Sequence, residues 1–456
     1  MLWIPGQARN DAINNIMKKI LLAIFLVAVL IVAGVAAMFA FSLCPPSGPW
    51  PMPPWCAVGT ELDFKNYQPD YIKYPAAVSF KPQLGIGTMD IWGNPHLFLN
   101  LGEDTVRNYP SAIKRIGETG SKIYFFTDFI NLGTDTEIRI LDQKTFPATY
   151  NITEAELKSV VATARANSQE RVMMLTNLSD TRDEIEGFIG SANEAGDIKE
   201  QLAGAAFKEF TQNKTALTSK DMLKDFDDQK WQAFLANLKT AIVSQAKKAQ
   251  AAGVTDFVVN PGDVIIDFYY PGNLSSYWQD VRTEVKQVFG GRVGFFGYPE
   301  MIGKTDVGGY DFVVVYFEVN GDSTARTIFA NTEAELNSLT AAWQKYLLQG
   351  FWSKIKSEKV LLVTVPSYTD VRTKGWIEPG KMNTGLEPNQ KEQALLYEAM
   401  FETLAGSQTV DAVISYGYWW SANMFPRSKP FRNDLSHSIR NKDAESVFYH
   451  WANLTK

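Results

Sequence analysis

From Gln83 to the C-terminus, eight short apolar runs alternate with helical patterns or polar insertions. The runs are Leu84–Gly87, Lys122–Phe129, Val172–Thr176, Phe257–Val259, Val293–Gly297, Asp311–Val319, Lys359–Val365 and Val410–Trp420. Their β-branched and aromatic cores read as buried strands. Helical patterns cover Thr105–Glu118, Trp231–Ala252, Tyr277–Phe289, Lys391–Leu404 and Ala444–Asn453. Capping boxes at Thr153-Glu154-Ala155-Glu156 and Thr332-Glu333-Ala334-Glu335 open two more, the latter running to about Lys356. Strand and helix in eightfold alternation predict a (β/α)8 TIM barrel over 75–456. A doubly wound open sheet is the alternative, but no GxGxxG or Walker loop follows any strand. Polar, helix-rich sequence at about 180–228 interrupts the rhythm after the third strand, as a lid over the mouth or a decorative insertion.

The N-terminal part has a different character. Ile20–Leu43 is an uncharged run of 24 residues, and at ~1.5 Å per residue it spans a bilayer core of ~30 Å. Arg9, Lys18 and Lys19 precede it, and the next charge is Glu61. The positive-inside rule predicts a single-pass cell-membrane anchor, with 1–19 in the cytoplasm and the barrel extracytoplasmic. A cleaved signal peptide is the competing reading. Six prolines among the 13 residues of Cys44–Cys56 make a stiff stalk within 44–74. In an oxidising compartment Cys44 and Cys56 are expected to pair as a disulfide, the other reading being two free thiols. Asn-X-Ser/Thr sequons at Asn151, Asn177, Asn213, Asn273 and Asn453 suit a surface glycoprotein.

A net charge of −6 with scattered Lys and Arg argues against a nucleic-acid partner. Three histidines and two cysteines make no zinc set, so neither a metal nor another cofactor is expected.

In a barrel of this type the chemistry gathers at the carboxyl ends of the strands. The fourth strand breaks at Asn260-Pro261-Gly262 and delivers Asp263 there. Glu318 follows the sixth strand and Glu300 the fifth; Asp90, Asp128 and Asn423 add polar groups. Trp92, Tyr269, Tyr270, Tyr316, Trp376, Tyr418, Trp419 and Trp420 fall at or just after strand ends. Flat rings stack on the apolar faces of sugars while carboxylates and amides bind hydroxyls, so this set suits a glycan. Alternation along a strand allows at most one of Trp419 and Trp420 to face the mouth.

The phrases WQAFLANLKTAIVSQAKKAQAAGVTDFVV, YWQDVRTEVKQVFGGRVGF, KVLLVTVPSY, QALLYEAMFETL, ISYGYWW and SIRNKDAESVFYHW resemble those of glycoside hydrolase barrels of the large retaining clan. The chain is most similar to the β-mannanase-like family 113. The resemblance covers most of Gln83–Lys456 and implies an acid/base glutamate after strand four and a nucleophilic glutamate at the end of strand seven. Here the usual glutamates are not in place. Asp263, with a shorter side chain, stands near the acid's position, and strand seven ends in Val365-Pro366-Ser367 without a carboxylate. Glycoside hydrolysis needs two carboxyl groups flanking one bond, ~5 to 5.5 Å apart for retention or ~6.5 to 9.5 Å for inversion. The working pair would be Asp263 with Glu318, and Glu300 is the reserve. Two functions follow: a membrane-anchored barrel that binds and hydrolyses a polysaccharide or surface glycan, or a catalytically inactive barrel that binds carbohydrate or serves as a structural surface protein.

Overall fold

A computed structural model describes residues 62–74, 79–88, 104–132, 138–139, 152–180, 223–260, 266–317, 323–329, 332–333, 335–355, 359–364, 389–418 and 438–454. The 20–43 run, Cys44, Cys56 and most of the 180–228 insertion lie outside these residues. No helix among the described residues is long and apolar enough to cross a membrane.

The strands are β1 (Gln83–Thr88), β2 (Ile123–Leu132), β3 (Ile138–Arg139), β4 (Arg171–Asp180), β5 (Asp256–Val259), β6 (Arg292–Gly297), β7 (Phe312–Phe317), β8 (Val360–Thr364) and β9 (Val410–Tyr418). The helices are α1 (Asp104–Glu118), α2 (Glu154–Ala166), α3 (Asp228–Ala252), α4 (Ile266–Tyr269), α5 (Ser275–Val288), α6 (Pro299–Ile302), α7 (Ser323–Phe329), α8 (Leu336–Tyr346), α9 (Gln390–Leu404) and α10 (Asp443–Asn453). Two-residue β3 pairs antiparallel with the end of β2. The other eight strands are parallel, in the order β1-β9-β8-β7-β6-β5-β4-β2, and β1 also pairs with β2. The ring is closed, as the eightfold rhythm predicts.

Side-chain alternation splits the core in two. Ile123, Phe125, Met173, Leu175, Val258, Phe312, Val314, Ala412 and Ile414 form one buried cluster, the barrel interior. Residues of the opposite parity, among them Tyr124, Phe126, Met174, Phe257, Phe295 and Val313, pack with the helices. Strands buried on both faces must be apolar at nearly every position, hence continuous apolar runs instead of alternating ones. Inside the barrel, β1 follows Gln83 with two residues that have no side chain, Gly85 and Gly87. A Cβ at Gly87 would lie 2.7 Å from the Phe125 ring and 2.8 Å from that of Tyr416, so the missing side chain makes room for both rings. Gly294 does the same for Phe312.

Local signals set the helix ends. Thr153 Oγ1 accepts the Glu156 N–H and the Glu156 carboxylate accepts the Thr153 N–H, so this capping box forms as read. Gly253, at φ 81°, closes α3 in the left-handed region that glycine enters without strain. The second capping box does not form. Thr332 Oγ1 donates to Ile328 O and so finishes the preceding helix, leaving Glu335 as N-cap of α8. That helix passes into a π-turn at Leu347–Phe351.

The N-terminal segment 62–74 lies along α10. Leu62 N–H donates to Asn441 Oδ1 at 3.0 Å, and the Tyr67 and Tyr71 hydroxyls donate to the two oxygens of Asp443. Tyr74 stacks on His450, ring centroids 3.5 Å apart. These residues, read from sequence as the end of the stalk, are part of the folded body.

Candidate functional site

Parallel strands bring their carboxyl ends to one mouth. On β4, Met173 and Leu175 face the interior, and the same parity brings Asn177 inward. On β5, Val258 faces inward and is followed two residues on by Asn260. Asn260 Nδ2 donates to Asn177 Oδ1 at 3.0 Å, and the two are 5% and 4% exposed. Buried amides hold their orientation only when hydrogen-bonded, so the pair gives the mouth a fixed polar base. On β2, Ile123 and Phe125 face inward, and Thr127 continues that face with a buried hydroxyl that has no hydrogen-bond partner among the described residues.

The adjoining strands supply rings. Phe296 of β6 and Tyr316 of β7 border the interior cluster, with centroids 5.9 Å apart. Tyr298, just past β6, stands edge-on to Tyr316 at 5.5 Å and 83°. It is 38% exposed and one of two exposed large hydrophobic residues among those described. Four neighbouring strands, β4 to β7, thus end in two amides and then three rings. Amides offer donors and acceptors for hydroxyls, and an exposed ring edge or face offers an apolar platform. Tyr416 of β9 borders the interior opposite Phe125.

Tyr316 is therefore a rim residue, as expected from sequence. Asp128 departs from expectation. It shares the parity of Tyr124 and Phe126, so its carboxylate points to the helix layer, where it pairs with Lys248 of α3 and accepts the Ile152 N–H at 3.3 Å. Tyr269 packs half-buried against the helix-side core, and Tyr270 lies edge-on to Trp231 at 5.3 Å. Tyr418 also turns away. Thr88 pairs with Tyr418 directly after Gly87 pairs with Tyr416, so Gly417 at φ 94° is left as a bulge and the next side chain swings outward. The Tyr418 hydroxyl accepts from Arg115 Nε at 3.0 Å and donates to Glu445 Oε1 at 2.6 Å, within a buried ion pair. Burial and the Glu445 charge hold this phenol well above its ordinary pKa. Glu300 is exposed and pairs with Lys354. Asp263, Glu318, Trp92, Trp376, Trp419, Trp420, Asp90 and Asn423 lie outside the described residues.

Sequence reasoning passed over Asn177, Asn260, Thr127, Phe296 and Tyr298. Asn177 was visible as a sequon and Asn260 as a strand break; counting alternate residues back from the strand ends would have put both inside. Among the described residues no three potential metal ligands converge.

No family model and no curated protein sequence matches the chain. Among solved structures, a family 113 β-1,4-mannanase superposes with a TM-score of 0.51 at 13% identity, over 82% of this chain and 99% of its own. The family 113 β-mannanase AaManA from Alicyclobacillus acidocaldarius gives 0.49 at 12% identity, over 84% and 99%. A family 5 mannosidase from Rhizomucor miehei gives 0.49 at 12%, over 84% and 97%. At such identity likeness speaks for fold and not for activity, and the chain folds as a TIM barrel like that of the family 113 mannanases.

Proposed function

We propose that this barrel binds a glycan across its carboxyl-terminal mouth, at the outer face of a membrane to which residues 20–43 anchor it. The observation that carries the reading is the rim of β4 to β7, where the Asn177–Asn260 pair gives way to Phe296, Tyr316 and Tyr298. A pyranose needs a ring for its C–H face and a rigid polar base beside it, and here three rings stand next to an amide pair held fixed by its own bond. The likeness to a β-1,4-mannanase makes β-mannan the first ligand to try. The test is calorimetric titration of the detergent-solubilised full chain with manno-oligosaccharides, cello-oligosaccharides and xylo-oligosaccharides. Saturable binding of at least one series supports the reading, and no heat with any of them, nor with a wider glycan array, removes it.

Hydrolysis is the second reading, and a specific feature keeps it in play. Glu318 stands two residues past inward-facing Tyr316, the spacing that repeats one face of a strand, and Asp263 follows Asn260 closely. The pair would act as acid and base or nucleophile only with carboxyl oxygens within about 10 Å of each other. Release of reducing ends from a bound oligosaccharide, abolished in both Asp263→Asn and Glu318→Gln with affinity retained, would establish it. Binding without release leaves an inactive carbohydrate-binding barrel.

A further inference from the structure

Five sequons punctuate the chain, and the described residues settle the surroundings of three. Asn177 lies inside the barrel, 4% exposed, with its Oδ1 bound to Asn260. A sugar on its nitrogen would have to occupy the packed interior. Asn453, in the last turn of α10, donates its Nδ2 to Tyr449 O at 2.7 Å and to Thr119 O at 3.5 Å. Glycosylation there would take one of these two amide hydrogens and drive the sugar into the turn after α1, where Asn453 Nδ2 packs against Gly120. Asn273 is different in each respect. It is exposed, as are Pro271 and Gly272 before it, in the turn that leads into α5. Its Oδ1 accepts the Ser275 N–H at 2.6 Å, an Asx-turn that fixes the side chain through its oxygen and leaves Nδ2 to solvent. Leu274, between the two sequon residues, is buried at 4% and moors the turn to the helix-side core. The Ser275 Oγ accepts the Asp306 N–H at 3.0 Å.

We infer that Asn273 is an N-glycosylation site, and that Asn177 and Asn453 remain unmodified in the folded protein. In the reaction Nδ2 attacks the anomeric carbon of an oligosaccharide carried on a lipid phosphate or pyrophosphate. The N–C1 bond forms and the C1–O bond to phosphorus breaks. The lipid phosphate leaves with the bonding pair, and the amide proton passes to a base of the membrane glycosyltransferase. Transfer at Asn273 is compatible with the fold whether it precedes or follows folding. Transfer at Asn177 before folding would prevent the barrel from closing around it, so folded molecules are those without it. The inference rests on the extracytoplasmic placement proposed above.

The test is translation of the full chain with endoplasmic-reticulum microsomes, read by protease protection and by a glycosidase-sensitive mobility shift. The expected result is a protected barrel in which Asn273→Gln and Ser275→Ala each lose one glycan and Ser275→Thr keeps it. Peptide mapping of the protease-resistant folded fraction should find the residual N-acetylglucosamine on Asn273 and none on Asn177 or Asn453. A protected barrel with Asn273 bare, or with a sugar on Asn177, overturns the assignment while leaving the topology standing. A barrel open to protease outside the vesicles overturns the topology, and the modification with it.

Discussion

Strand β5 is four residues long, yet it contributes to both ends of the barrel, and the two ends are made of different chemistry. At its amino end Asp256 is 0% exposed and ringed by cations. Its Oδ1 accepts from Arg171 Nη2 at 3.0 Å and from Arg292 Nε at 2.8 Å, while its Oδ2 accepts from Thr255 Oγ1 at 2.7 Å. The ring of Phe312 lies against both guanidinium groups, 5.8 Å from Arg171 and 5.3 Å from Arg292. Just past its carboxyl end stand Asn260 and Asn177, neutral, with the rings of β6 and β7 beside them. A buried charge is tolerable only when compensated, so the floor is closed on itself with its bonds directed inward. The mouth sets a buried, mutually bonded amide pair beside rings that end in the exposed Tyr298. The floor therefore belongs to stability, and the mouth is left for the recognition proposed above, the division expected of the two faces of such a barrel.

The largest expected effect breaks the floor. Asp256→Asn keeps the volume and removes the charge that two guanidinium groups share, one of them, Arg171, largely buried. Removing one partner of a buried ion pair costs about 3 kcal/mol or more, and urea unfolding of the variant should show that loss. Glycan affinity, measured on the folded fraction, should be unchanged. A loss below ~1 kcal/mol would mean that water reaches the arginines and that the floor is not the closed cluster described.

A second carboxyl sharpens what compensation does. Glu398 of α9 is as buried as Asp256, but it meets an indole and a second carboxylate, that of Glu402 one turn on. Trp451 Nε1 donates to its Oε2 at 2.7 Å, and its Oε1 has no hydrogen-bond partner among the described residues. Burial pushes its pKa up from 4.5 to about 7, against the pull of the Trp451 bond and with a further push from the Glu402 charge. A raised folded pKa means that the native state holds the proton longer than the unfolded chain does. Its contribution to stability is thus fully present below pH 4.5 and is lost as pH rises through about 7. At ~1.4 kcal/mol per unit the change is about 3 kcal/mol. Glu398→Gln, which keeps the acceptor for Trp451 and cannot ionise, should be close to wild type at the acid end and more stable by that amount above neutrality. Equal stability of the two proteins across this range would show that Glu398 finds a partner when charged.

Packing at the floor gives a smaller and pH-independent effect. A Cβ on Gly294 would sit 2.2 Å from the Phe312 ring, the ring that both arginines flank. Gly294→Ala should cost about 1 to 3 kcal/mol through displacement of that ring. The loss should be less than additive with that of Asp256→Asn, since the two share neighbours. Strict additivity would separate the ring from the ion cluster.

These residues also show where sequence is a good guide and where it is not. The eight strands were legible because a strand buried on both faces must be apolar, and such runs stand out against amphipathic helices. The closing of the ring followed from their number. The site was legible only in part. Strand ends are easy to find, but the face a residue takes depends on parity and on bulges that leave no clear mark in one sequence. Asp128 is one residue out of phase with the interior, and Tyr418 is thrown outward by an extra residue at Gly417. Asn177 and Asn260 went unnoticed for the opposite reason, since each had another plain meaning, sequon and turn. Thr332 had the letters of a capping box but was already engaged by the helix before it.

The smallest change in stability belongs to the mouth, where it should accompany the clearest change in recognition. Tyr298 is 38% exposed, lies beyond the last residue of β6, and stands edge-on to the ring of Tyr316. Replacing it with alanine removes the edge-on contact with Tyr316 and the covered part of the ring, a cost of about 1 kcal/mol in unfolding experiments. A sugar resting on that ring would lose its exposed platform, and affinity should fall about tenfold, equivalent to ~1.4 kcal/mol. Tyr298→Phe should bind almost as wild type if the ring face is what matters, and as poorly as alanine if the hydroxyl does. The same variant distinguishes the two ends of the barrel: stability and binding should move separately here and separately, in the opposite sense, in Asp256→Asn. If Tyr298→Ala left affinity untouched while binding itself persisted, the ligand would engage another arc of the rim, and the β6–β7 rings would be no more than the upper layer of the core.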